Sequence, residues 1–303
     1  MTWELADLTG FALVFVASVA AGGVNAIAGG GTILTFAVLS AVLPPGPGQL
    51  VTANMTSTIG LWPGSAAATW AHRHEWASLP SWARWLIVPS VVGAVIGVAL
   101  LQFLPAKTFD MVVPWLILLA AVLFALQPSI TRVVTRPRKP DGPTGAGWAT
   151  AGRRPGTAAG AKDGLPAEKQ RGGRRGQGWP AGLVFTFQLL VGIYGGYFGA
   201  GIGILMLASL GLLGLGDIHA LNAVKNLLAA AVNGVATLLF IVASMAGGYA
   251  VSWPHAAVAA VGSIIGGIAV ANLSRRLSTT AVRRLVALIA FGLAAYHLWK
   301  EFA

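Results

Sequence analysis

Two glycine-rich runs, Gly29-Gly30-Gly31 and Gly199-Ala200-Gly201-Ile202-Gly203, each interrupt a segment apolar enough to lie in a bilayer. Hydrocarbon offers backbone groups no partner. Each unpaired N–H or C=O there costs several kcal/mol, so irregular backbone persists only against protein or a watery cavity. A helix restarting at Thr32 presents free N–H groups, and the positive end of its dipole, to that space. Broken helices at matching places in two halves of a membrane chain point to a transporter's binding site. The rest of the chain is read around this pair.

The bilayer reading rests on composition. Only 10% of the 303 residues are charged and 56% are hydrophobic, whereas a soluble domain averages about 25% charged. With no cysteine, the chain has no disulfide, thiol nucleophile or Cys-ligated metal. The formal charge of +11 sits mostly in one polar stretch and the loops. A cytoplasmic membrane face explains it better than nucleic acid does. Residues 1–9 contain Glu4 and Asp7 but no Lys or Arg, so the first apolar run is expected to be a retained span and not a secretory signal.

Apolar segments are expected at residues 10–28, 32–43, 50–70, 85–104 and 111–127, and again at 180–198, 202–215, 220–246, 254–273 and 282–299. Between the two sets, residues 128–178 are rich in Gly, Pro, Arg and Lys, and are expected to form a disordered basic cytoplasmic linker. Three units follow: a first transmembrane repeat over 1–127, the linker over 128–178, and a second repeat over 179–303. The predicted fold is an all-α integral membrane protein of two inverted repeats with five helical segments each. Broken or re-entrant helices begin each repeat. With the linker inside, counting segments puts both termini outside. The basic loops at 73–84 and 275–284 then fall on the linker's face, as the positive-inside rule requires. A multi-pass protein of the inner cell membrane is expected.

The repeat aligns residue by residue. Gly29 matches Gly201 and Gly31 matches Gly203. Past the loops, Asn54 matches Asn222, Thr58 matches Asn226, Ser65 matches Asn233 and Thr69 matches Thr237. At about 100° per residue each set of four lies within about 60° of one helix face. Such a stripe serves as interhelical glue in many membrane proteins. Two symmetric stripes beside broken helices favour a substrate pathway. Lys225, whose counterpart is Ser57, breaks the symmetry. A charge in mid-membrane costs about 2.5–3.5 kcal/mol on translocon scales. Lys225 therefore either snorkels to the interface near Asp217 and His219 or supplies a fixed positive charge for an anion.

The glycine break, Asn54-Met55-Thr56-Ser57-Thr58 leading into Leu61-Trp62-Pro63-Gly64-Ser65, and Asn222-Ala223-Val224-Lys225-Asn226 with Asn233-Gly234 resemble the sulfite exporter TauE/SafE family. The resemblance covers both halves but not the linker. It implies a permease for sulfite, sulfonates or other small sulfur-containing or organic anions. Two departures, Thr35-Phe36 where a proline is expected and Ile202 within the second glycine block, bear on the substrate subtype.

Enzyme signals are missing. The five histidines are scattered, Asp110 and Asp217 sit at segment ends, and no Walker A sequence occurs. The chain is therefore expected to be a secondary transporter of a small anion working by alternating access. It is not expected to be an enzyme, or to need a cofactor or metal. A passive anion channel and a membrane-embedded enzyme or assembly factor are the rival readings. The expected substrate contacts are the break glycines Gly29, Gly30, Gly31, Gly201 and Gly203. In the first half Asn54, Thr56, Ser57 and Thr58 join them, and in the second Asn222, Lys225, Asn226 and Asn233. The partners are the anion and the lipid bilayer, with no nucleic acid.

Overall fold

The computed structural model describes residues 5–27, 29–71, 84–134, 181–212, 218–273 and 279–302, and every regular element among them is a helix. There are ten: α1 (Leu5–Ile27), α2 (Thr32–Val42), α3 (Gln49–Ala71), α4 (Ile87–Phe103), α5 (Ala106–Val134), α6 (Ala181–Tyr197), α7 (Ile202–Leu212), α8 (Ile218–Met245), α9 (Trp253–Leu273) and α10 (Thr279–Phe302). Five lie on each side of the expected linker. Residues 135–180 of that stretch are outside the described residues, as are Arg73 and the Arg275–Arg276 pair. α5 runs past the expected boundary at Gln127 to Val134. It also begins earlier than its apolar run suggested, because Pro105 starts the helix, its carbonyl accepting from Thr108 N–H at 2.8 Å. Asp110 thus lies inside α5 and not at a segment end.

Among the described residues three helices are long and apolar enough to cross a membrane, within Leu8–Asn25, Ala106–Ser129 and Leu221–Met245. Bulky apolar side chains face outward all round the bundle, among them Val16, Phe103, Leu190, Leu238, Val242 and Leu288. In water this would be an aggregating surface; against lipid it is the ordinary one.

α2 and α7 have only 11 residues each. At about 1.5 Å per residue that is roughly half of a ~30 Å hydrocarbon core. α2 folds back along α1: Gly31 at its start abuts the Ala21 carbonyl, and Val42 at its end abuts Gly10. The first break is therefore the bend of a hairpin whose two arms reach the same end of the bundle. The turn after α2 meets the turn after α8 there, with Gly48 against the Tyr249 ring and the Tyr249 hydroxyl donating to Leu104 O at 3.4 Å.

Small residues let particular helices lie almost backbone to backbone. Gly93 and Gly97 of α4 abut the carbonyls of Leu189 and Ile193 on α6, and Gly192 and Gly196 abut those of Ser90 and Ala94 in return. α1 and α9 meet the same way, Gly262 against Phe15 O and Gly266 against Val19 O. In both pairs the two helices run in one direction. α4 ends where α1 begins, so α6 runs opposite to α1. The packing pairs off across the chain: α1 on α9 and α6 on α4, α3 on α9 and α8 on α4, α5 on α10, and α3 on α8. Each half thus holds the outer helices of the other.

Candidate functional site

The two breaks meet. Gly29 and Gly30 have φ of 73° and 110°, and Gly199 and Gly201 have 75° and 76°. L side chains rarely adopt these values, and glycine does so freely. A Cβ on Gly29 would lie 2.9 Å from Gly203 Cα, and one on Gly30 would lie 2.7 Å from Gly201 Cα. The bends therefore touch through bare backbone, about half-way along the bundle. Aromatic rings pack around them. Phe36 of α2 meets Phe198 of the second break edge-to-face at 5.3 Å, Phe109 of α5 meets Tyr197 at 5.4 Å, and Phe124 closes on Gly30.

The breaks are satisfied differently. In the first, Asn25 near the end of α1 turns its side-chain oxygen back to accept from Gly30 N–H at 2.8 Å and Gly31 N–H at 2.7 Å. Sequence reading missed Asn25, although it stands four residues before the glycines. In the second, Phe198 and Gly199 N–H donate to Tyr194 O, and the Tyr194 hydroxyl donates to Ala200 O. Among the described residues the N–H groups of Ala200 and Gly201 find no acceptor, and both residues are buried. Buried amides left open in this way are rare enough to require an explanation, a bound ion or water included.

The expected polar residues divide by what they touch. Asn54 is 1% exposed. Its Nδ2 donates to Tyr197 O at 3.0 Å, at the edge of the second break, while its Oδ1 is buried without a partner among the described residues. Asn233 lies beside Gly199, its Oδ1 3.8 Å from where a Cβ there would stand. Ser57 serves the first break: its hydroxyl bonds the Thr35 hydroxyl and donates to Thr32 O in the first turn of α2. Thr56 faces elsewhere and accepts from Ser252 N–H at 3.1 Å, before α9. The Thr58 hydroxyl returns to Asn54 O within its own helix, as threonines in helices often do. Asn222 and Asn226 are half-buried. Lys225 is only 3% exposed and sits in the part of α8 where Val224 and Leu228 share a buried cluster with Ile202 and Met206 of α7. Trp62 was also overlooked as a contact; its Nε1 donates to Ala230 O at 3.4 Å and its ring packs on Gly234, tying α3 to α8.

The geometry thus gives buried amides at a helix break, a buried lysine and asparagine side chains inside an apolar helical bundle. The sulfite exporter TauE/SafE family model matches residues 14–297, both halves from α1 to α10. The chain belongs to the sulfite exporter TauE/SafE family. Membership and its apolar helices make it a multi-pass membrane protein. Among curated proteins it is 33% identical over 124 residues to a probable membrane transporter protein, ORF9, of Sinorhizobium sp; the match covers 39% of this chain and 44% of the relative. The chain thus spans less than half the length of that relative. No solved structure matches.

Proposed function

We propose that this TauE/SafE family member is a secondary permease for a small anion, sulfur-containing or carboxylate, and that the anion sits at the second break. The observation that carries this reading is the buried pair of open amides at Ala200 and Gly201, in the half of the chain that also supplies the buried Lys225. Backbone N–H groups at a helix start complement an anion, and a lysine ammonium supplies the balancing charge. The first break, its amides held by Asn25, is its built-in counterpart. Because the two bends touch, they must part for an anion to enter or leave. Motion of one half against the other does this, and opposed hairpins at the start of each half are the usual framework for such alternating access. The opposite directions of α1 and α6 and the paired helix contacts support two inverted repeats. With the basic linker in the cytoplasm, both termini lie outside the inner membrane.

The test is anion binding to folded protein in detergent. Sulfite, methanesulfonate, thiosulfate and acetate are screened by thermal shift, since a ligand at 100 times its Kd stabilises by about 2.7 kcal/mol. Lys225→Met removes the charge but keeps an apolar stem, and is expected to abolish the shift. Lys225→Arg is expected to keep part of it, because a planar guanidinium replaces a compact ammonium. Ser57→Ala, at the matching position of the first half, is expected to cost less. A Lys225→Met protein that binds as well as the parent refutes the site. Saturation and counterflow in vesicles distinguish a carrier from a channel.

A further inference from the structure

The second break leaves both donors and an acceptor open. If α6 continued, the Gly201 N–H would donate to Tyr197 O, one helical turn back. The glycine bend takes that amide away, and Asn54 Nδ2 of α3 donates to Tyr197 O in its place at 3.0 Å. This bond fixes which way the Asn54 amide points, because its oxygen turned towards Tyr197 O would set two acceptors against each other. Oδ1 is therefore the outer end of an oriented group. It is buried without a partner among the described residues, on a side chain 1% exposed. The break thus presents two donors, the Ala200 and Gly201 N–H groups, and one acceptor from the residue that holds its edge.

The first break shows what closes such a set. There Asn25 Oδ1 accepts from both Gly30 and Gly31 N–H, so donors and acceptor are matched within the chain. At the second break no side chain among the described residues plays that part. An anion with acceptor atoms alone would satisfy the two amides and leave Asn54 Oδ1 facing lone pairs. A buried acceptor left in that state carries its full desolvation penalty. Thr237, one turn beyond Asn233 on α8, also has a buried hydroxyl without a partner among the described residues. A hydroxyl turns to donate or to accept, so it does not choose between ligands, whereas an amide oxygen only accepts. Asn54 is the group that chooses.

We propose that Asn54 selects anions that carry a hydrogen-bond donor of their own: a monoprotonated oxyanion such as hydrogensulfite, or a sulfonate or carboxylate bearing a hydroxyl. The proposal rests on the permease reading above and deepens it, by naming what the second break demands of its substrate besides charge.

The experiment uses the full-length protein in detergent and probes paired for size and charge, isethionate against propanesulfonate and glycolate against propionate. In each pair a hydroxyl stands where the other has a methyl. By titration calorimetry the parent is expected to bind the hydroxyl member about 10–100-fold more tightly. With sulfite, affinity is expected to fall as rising pH removes the proton of hydrogensulfite, while isethionate, whose charge is constant in that range, keeps its affinity. Discrimination in the pairs alone puts the donor on a carbon beside the acidic head, and in the sulfite series alone on the head itself. Asn54→Leu removes the acceptor at similar volume and is expected to bring the members of a pair together and flatten the sulfite series. Asn54→Ser is expected to do the same and serves where leucine does not fold. Equal binding within both pairs, with a sulfite series that is flat or rises with pH, overturns the proposal and leaves the anion site standing; a bridging water, which serves either ligand, predicts that result. Discrimination that persists in a folded Asn54 variant overturns the assignment to Asn54. A parent that binds none of the anions overturns the permease reading itself.

Discussion

The contact between the two breaks makes a graded prediction about three glycines. Gly46 has a φ any residue adopts and nothing within 4 Å of where a Cβ would stand. Gly247 has a φ of 86° and the same open surroundings. Gly30 combines a φ of 110° with a Cβ position 2.7 Å from Gly201 Cα and 2.8 Å from Phe124 Cζ. Alanine at 46 is therefore expected to change stability little, or to raise it by about 0.4–1 kcal/mol through the unfolded chain. Alanine at 247 isolates backbone strain, about 1–2 kcal/mol. Alanine at 30 adds overpacking of about 1–3 kcal/mol to that strain. Its neighbour is backbone and cannot swing aside, so roughly 2–5 kcal/mol in all is expected from the two terms together. Thermal unfolding in one detergent, read by tryptophan fluorescence, ranks the three. If Gly30→Ala is no less stable than Gly247→Ala, the two bends do not touch, and the shared midpoint of the two halves is lost.

Asn25→Ala leaves two amides of the first break unpaired, each costing about 1–3 kcal/mol when buried, whereas Asn25→Asp keeps the acceptor; the same melting assay is expected to show a large loss only for alanine. Because the first break is already capped, neither change is expected to remove anion binding from folded protein, and its disappearance in Asn25→Asp would place the anion at the first break instead. Gly196→Leu drives a side chain into the Ala94 carbonyl and is expected to prevent recovery of monodisperse protein, while Gly182→Leu, with open space around it, is tolerated; size-exclusion profiles compare them. A reporter inserted within residues 128–178 is expected to read as cytoplasmic, and an external reading would remove the proposed orientation.

Much of the bundle was legible in the sequence. The ten apolar runs fall close to the ten helices, because hydrocarbon demands long uninterrupted helices and so writes them plainly into composition. The breaks were legible because positive φ selects glycine, which leaves a visible block. Function within the breaks was not. Asn25 caps the first bend, but a single asparagine near the end of a span belongs to no periodic pattern. The Tyr194 hydroxyl reaches a carbonyl of the second bend, a contact no spacing rule announces. Thr56 and Thr58 lie on the striped helix yet spend their hydroxyls on Ser252 and on their own helix, which only coordinates reveal. Asp110 looked like an end residue because Lys107 and Thr108 lowered the apolar count at the true start of α5. The Gly-x-x-x-Gly spacings of α4, α6 and α9 are visible in the sequence, but which helix answers which is decided by tertiary packing.

That packing has a consequence for how the protein is made. α1 is matched by the glycine face of α9, and α4 by α6, so the first half leaves the ribosome without its partners. Between the end of α1 at Ile27 and the start of α9 at Trp253 the chain must grow by roughly 230 residues, on the order of 10–45 s at about 5–20 residues per second. During that time the face of α1 that α9 will cover lies against lipid or against whatever insertion machinery shields it. The first five helices expressed alone leave that face uncovered permanently and are expected to be degraded. Co-expressing the two halves as separate chains supplies the missing partners, and the pair is expected to assemble.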